Sequence, residues 1–147
     1  IHYHNRSQLS KNLEKDATYH KSLKSLFSVS DFLSINCPAT KETKNIINEE
    51  TIKYFPDGVV VSNSARGDMI DDEAMVKALK SGKIFSLGLD VYNGEPNIHP
   101  EYINLPNVFV LPHLGSSTMK TRIAMANLAI KNLDEFFKTG KCQNKVN

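Results

Sequence analysis

Four short apolar runs, set apart by helical patterns, are the feature that most limits how this 147-residue chain can fold. They lie at residues 32–35 (FLSI), 58–62 (GVVVS), 85–91 (FSLGLDV) and 108–111 (VFVL). The β-branched GVVVS run suits a strand buried on both faces of a parallel sheet. Residues 1–4 (IHYH) read as a further short strand ending in the polar turn Asn5-Arg6-Ser7. Between the strands, residues 9–15 read as a helix, and Leu23, Leu26 and Phe27 supply an apolar face at i, i+3, i+4. Asn48 followed by Glu49 and Glu50 marks a helix start, with Pro56 closing it. Residues 71–81 read as a helix with an acidic first turn and Gly82 just past its end. A long helix is predicted over residues 117–138, where Met119, Ile123, Ala126, Ile130, Leu133 and Phe137 mark one stripe expected to be buried. Ser116 and Ser117 are its expected N-cap residues.

Short strands alternating with helices argue for a parallel α/β sheet. Ligands of such sheets sit outside the carboxyl ends of the strands. The polar residues that follow each run therefore become the candidates: Asn5-Arg6, Cys37-Pro38, Ser64-Ala65-Arg66, Asp90 and His113. Composition excludes other classes. With 40% hydrophobic and 23% charged residues the chain is far from a disordered one. Its net charge of +2 is scattered, so neither a nucleic-acid nor a membrane-surface partner is expected. No apolar run approaches the roughly 20 residues that span a bilayer. The two cysteines, Cys37 and Cys142, make no metal spacing, and a reducing, cytoplasmic setting is expected.

Three segments place a chemically active residue just after an apolar strand: SNSARGDMIDDEAM (62–75), LGLDVYNGEP (87–96) and LPHLGSST (111–118). They carry Arg66, Glu95 and His113. An Arg guanidinium holds a carboxylate through two parallel charge-assisted hydrogen bonds, a geometry Lys cannot copy. A carboxylate beside a His favours the protonated ring, which suits a general acid. One cation, one carboxylate and one imidazole at neighbouring strand ends fit a small anionic substrate. His99 is a rival to His113, four residues after Glu95, but it sits in a Pro-flanked loop and ends no strand.

The ordered set ARG (65–67), GLDVYNGEP (88–96) and PHLGSST (112–118) resembles the signature of the D-isomer-specific 2-hydroxyacid dehydrogenases. The wording around NIHP and HLGSST is most similar to their glyoxylate/hydroxypyruvate reductases. The resemblance implies a Rossmann-like, doubly wound parallel sheet, present here without its first strand. It also implies that Arg66 binds the substrate carboxylate and that Glu95 pairs with His113, the proton donor or acceptor. Asp90 then meets the nicotinamide carboxamide, while Cys37, Pro38, Thr43, Ser64, Ala65 and Gly115 contact the cofactor through backbone or hydroxyl groups. A homodimer and a small 2-keto or 2-hydroxy acid substrate are expected on the same ground. D-3-phosphoglycerate dehydrogenases, D-lactate-type enzymes and NAD(H)-sensing corepressors of the family are the alternative readings.

NAD-preferring dinucleotide domains place an acid at the end of the second strand to bind the ribose 2′-hydroxyl. Here that place reads His4-Asn5-Arg6-Ser7. A carboxylate would repel a 2′-phosphate and Arg6 would bind it, so NADP(H) is expected in preference to NAD(H). The family's GxGxxG phosphate loop does not occur, since no glycines fall in that spacing. The expected organisation is a partial dinucleotide-binding domain over residues 1–115, a long helix over 116–140 and a polar tail over 141–147. The chain opens on Ile1, already in a strand, and reads as part of a longer enzyme, inactive without its N-terminal portion. The first strand and that of residues 32–35 are expected to have no partner joining them to the later strands.

Overall fold

The computed structural model describes residues 1–146, which fall into two compact units, Ile1–His113 and the residues from Leu114 on. In the first unit, β1 (His2–Tyr3), α1 (Lys11–Glu14), β2 (Thr18–Tyr19), α2 (Leu23–Phe27), β3 (Phe32–Ile35), α3 (Glu49–Ile52) and β4 (Val59–Asn63) follow in order. A 3₁₀ turn at Gly67–Met69, α4 (Asp72–Ser81), β5 (Ile84–Leu89), α5 (Pro100–Asn104) and β6 (Val108–Val110) complete it. Every strand pairing is parallel, and the strands form two sheets, β1-β2 and β3-β4-β5-β6. This is a Rossmann-like α/β fold.

Local chemistry explains the helix ends. Asn48 Oδ1 accepts the Glu50 and Thr51 amides at 3.0 Å each, and Thr51 Oγ1 accepts the Asn48 amide in return. That reciprocal box satisfies donors the helix itself leaves orphaned. Asp71 caps α4 by accepting the Ala74 amide, and acids in the first turn suit the positive end of the helix dipole. Gly82 closes α4 at φ 78°, where a side chain would be strained. The signals at Asn48 and Gly82 act as expected, whereas Asp71, read as the first residue of the helix, is its N-cap.

The four-stranded sheet has two unlike faces. Leu33, Val61, Ile84 and Leu87 are buried with Phe27 of α2, Ile52 of α3 and Met75 of α4 in one core. In-register pairing aligns Phe32 with Val60 and Ser86, and Ser62 with Gly88 and Phe109, on the opposite face. There Phe32, Ser62 and Phe109 are exposed. The GVVVS run is thus not buried on both sides: Val59 and Val61 face the core while Val60 and Ser62 do not. Composition alone does not separate a strand covered twice from one covered once.

Two expectations about pairing change. β3 does have a partner, because it pairs directly with β4 over all four of its residues. β1 stays apart from the later strands but is not alone, since it pairs with β2, a two-residue strand too short for periodicity to reveal. In the second unit, α6 (Met119–Thr139) starts directly after Thr118, whose side chain accepts the Thr121 amide. Thr118, and not Ser116 or Ser117, is the cap. None of its residues is buried, and the Met119 to Phe137 stripe is exposed, with Phe137 at 82%. A 4,3 apolar spacing marks a face that can accept a partner and is silent on whether one covers it. Among the described residues no helix is long and apolar enough to cross a membrane.

Candidate active site

Parallel pairing sends every strand of the larger sheet to the same edge, so the segments that leave β4, β5 and β6 start side by side. β4 ends in Asn63, which is almost fully buried and organises the turn beyond it. Its backbone carbonyl accepts the Asp90 amide at 3.0 Å, tying the end of β4 to the end of β5. Its side-chain oxygen accepts the Ala65 amide at 3.0 Å, and its amide nitrogen donates to the Arg66 carbonyl at 2.8 Å. The turn that carries Arg66 is therefore shaped by one buried amide. A buried amide of this kind is costly unless its bonds are made, and here they are.

Arg66 is exposed, and its guanidinium donates to the Ala65 carbonyl at 2.6 Å. The next residue, Gly67, is buried against the loop after β5. A Cβ at Gly67 would lie 1.9 Å from the Tyr92 carbonyl carbon and 2.2 Å from the Asn93 nitrogen. Only a residue with no side chain lets the Arg66 turn and the Glu95 loop approach so closely.

Within that loop Glu95 Oε1 accepts the Tyr92 amide at 2.9 Å, and Oε2 meets His113 Nδ1 at 2.7 Å. The His113 bond, and then the Tyr92 amide, hold the Glu95 carboxyl below its ordinary range. An ionised carboxylate only accepts, so the proton on this contact belongs to Nδ1, and Nε2 is the ring nitrogen that Glu95 does not engage. The Tyr92 hydroxyl donates to the Leu111 carbonyl, fastening the same loop to the strand end that carries His113. His113 itself sits at φ 52°, in the left-handed region. That conformation costs on the order of 1–3 kcal/mol, and such strain clusters at working sites.

Arg66, Asp68, Asn93, Glu95 and His113 line a cleft of about 320 Å³ together with Ala39 and Gly67. Glu95 and His113 also border a second hollow of about 460 Å³, mostly apolar, walled by Ile98, Ile103 and Val110. The three residues singled out in the sequence thus meet at one cleft. His99 does not: its Nε2 pairs with Glu73 at 3.2 Å, away from that cleft. Asn63, Gly67 and Tyr92 were not singled out. The buried strand ending in Asn before Ser-Ala-Arg is the signal for the first; Gly67 and Tyr92 fall within the ARG and GLDVYNGEP motifs, but what each does across the gap between segments leaves no mark in the sequence.

The remaining candidates also lie at strand ends. Cys37 is half-buried, with its thiol pushed up by burial and its sulfur 3.5 Å from that of Met69. Thr43 Oγ1 donates to the Pro38 carbonyl at 2.7 Å and accepts the Thr40 amide, so its hydroxyl shapes the loop after β3. Ser64 is exposed and Asp90 half-buried. Asn5, Arg6 and Ser7 are exposed after β1, where Tyr19 donates to the Asn5 carbonyl. The Glu42 carboxyl is held low chiefly by the Thr40 side chain, then by its own backbone amide, with the Arg6 charge contributing. Gly115 belongs to the second unit. Among the described residues no group of three or more His, Cys, Asp or Glu could hold a metal.

A parallel sheet with a cation, a carboxylate–imidazole pair and exposed polar turns at its strand ends is an α/β protein with its polar groups where such sheets bind ligands. Residues 1–115 match the family described as "D-isomer specific 2-hydroxyacid dehydrogenase, NAD binding domain", and the chain belongs to it. It is 48% identical over 121 residues to the glycerate dehydrogenase of Hyphomicrobium methylovorum, covering 82% of this chain and 38% of that one. The glyoxylate reductase structure from Paecilomyes thermophila superposes at TM-score 0.90 with 41% identity, covering 99% of this chain and 44% of that one. The NADPH-dependent glyoxylate/hydroxypyruvate reductase of Sinorhizobium meliloti, solved with NADP and malonate, gives TM-score 0.90 at 34% identity, over 97% and 44% of the two chains. The chain spans less than half the length of each of these relatives.

Replacing Gly67 by Ala should be costly. Overpacking usually costs about 1–3 kcal/mol, and here the obstruction is backbone, which cannot rotate away, so about 3 kcal/mol or more is expected. Denaturant midpoints of Gly67→Ala and the parent chain measure it; matching midpoints would contradict the close approach.

Proposed function

We propose that this chain is the cofactor-side portion of a reductase that converts a small 2-keto acid, glyoxylate or hydroxypyruvate, to the D-2-hydroxy acid. The observation that carries the reading is the 2.7 Å Glu95–His113 bond beside Arg66 in one cleft. Arg66 binds the substrate carboxylate through paired hydrogen bonds and so orients the adjoining keto group. His113, with Nδ1 held by Glu95, gives a proton from Nε2 to the keto oxygen. Glu95 fixes the ring and stabilises its charged form. A reduced nicotinamide, held by the residues named below, would supply hydride chemistry to the keto carbon when bound. In the reverse direction Nε2 takes the hydroxyl proton.

The residues present fit such a cofactor in part. Asn5, Arg6 and Ser7 suit the adenosine ribose, Cys37, Pro38 and Thr43 the neighbouring part of the cofactor, and Ser64, Ala65 and Asp90 the nicotinamide end. The Arg6 turn, with no acid at residues 4–7, supports NADP(H) over NAD(H). The remainder of the enzyme, including the phosphate-binding loop, comes from an N-terminal part of the same polypeptide. The exposed apolar stripe of α6 supports a homodimer. The setting is cytoplasmic. A D-3-phosphoglycerate or D-lactate-type substrate and a corepressor role are the other readings within the family; the turn at residues 4–7, with no acid, and the glyoxylate reductases among the relatives support the reductase.

A substrate panel on the full-length polypeptide tests this. Glyoxylate and hydroxypyruvate are expected to be reduced, and His113→Ala is expected to lower kcat/KM by about 10²–10⁴-fold. The 147-residue chain by itself is expected to be inactive; glyoxylate-dependent NADPH oxidation by it would refute that. In the full-length enzyme, Arg6→Asp should shift the NADPH/NADH ratio of kcat/KM toward NADH by roughly 10–100-fold, the worth of a lost charge-assisted contact. An unchanged ratio would sink the assignment of Arg6.

A further inference from the structure

Glu95 hangs on a loop, and the loop must hold it in register with both His113 and Arg66. The near end is set by the close approach of Gly67 to Tyr92 and Asn93. The far end runs into α5, and two contacts fasten the start of α5 to the start of α4, six residues after Arg66. One is exposed, His99 to Glu73 at 3.2 Å. The other is buried: Tyr102, 2% exposed, donates its hydroxyl to Asp72 Oδ1 at 2.8 Å. The segment that carries Arg66 therefore grips the Glu95 loop at both ends.

We infer that Tyr102 and Asp72 are positioning residues, their hydrogen bond fixing the distance between Arg66 and the Glu95–His113 pair. The inference rests on the function proposed above. An aromatic ring in the core needs no hydroxyl to pack, and a hydroxyl buried there needs a partner. This partner is a carboxylate at the head of α4, three residues beyond the 3₁₀ turn at Gly67–Met69. Burial pushes the Tyr102 phenol far above its ordinary value, with the Asp72 charge adding to the effect, so the phenol stays a donor at any working pH. Burial also raises the Asp72 carboxyl, against the Tyr102 bond that favours its charged form. Both ends of the tether are thus partly withdrawn from water, where a hydrogen bond is stiffer and its loss more costly than at the surface.

The test compares three variants of the full-length enzyme. Tyr102→Phe keeps the ring and removes the bond; kcat is expected to fall roughly tenfold, with KM for the keto acid within about twofold, since small misplacements of reacting groups are felt in turnover. Asp72→Asn keeps the accepting oxygen and should stay within about threefold of the parent kcat, while Asp72→Ala, which also removes the Asp72 bond to Asn93, should lose at least as much as Tyr102→Phe. A lowered melting temperature with unchanged kcat in Tyr102→Phe would make the bond merely structural and overturn the inference. Equal losses in Asp72→Asn and Asp72→Ala would overturn it too. His113→Ala is run alongside: if that variant keeps its turnover, the reading of the site itself fails and takes the inference with it.

Discussion

The parallel pairing of β4 with β5, from Val59 to Asn63 against Ile84 to Leu89, is the constraint on which the site depends. Parallel strands end together, and where these two end the Asn63 carbonyl takes the Asp90 amide. From that shared edge one chain segment turns into Arg66 and the other into Glu95. β6, paired with β5, brings His113 to the same edge. The sheet thus does by direction what no single loop does: it starts three polar segments at one place. Buried faces supply the stability, and the carboxyl ends supply the chemistry.

Direction alone does not set distance. The spacing between the Arg66 turn and the Glu95 loop is fixed by short contacts made after the strands stop. Asn63 commits its whole side chain to the turn. Gly67 has no side chain to keep the loop away. Tyr92 joins the loop to Leu111 beside His113, and Glu95 then completes the set through Nδ1. His113 carries a strained backbone within this arrangement, a cost the surrounding bonds hold in place.

Much of the fold and site is legible in the sequence, and the reason differs from one element to the next. α4 is readable at both ends because caps are local: Asp71 bonds three residues on, and Gly82 needs only its own φ. β3 is readable because FLSI is apolar and bounded by Cys37-Pro38. β2 is not, since two residues, Thr18 and Tyr19, carry no period. The apolar stripe of α6 is real as a stripe, yet it is exposed where burial is expected, because burial belongs to a pair of surfaces and periodicity describes one. The single covered face of the larger sheet escapes for the same reason.

By itself, the sequence determined the family, the α/β alternation and the identity of Arg66, Glu95 and His113, because residue type and spacing along the chain carry those directly. Tertiary structure alone decided that His99 pairs with Glu73, that Asn63 shapes the Arg66 turn, and that Gly67 admits Tyr92 and Asn93 at close range. Each of these joins segments that lie apart in sequence or that bend back on themselves. Contact across such gaps depends on where the strands end in space, a quantity no local pattern of residues encodes.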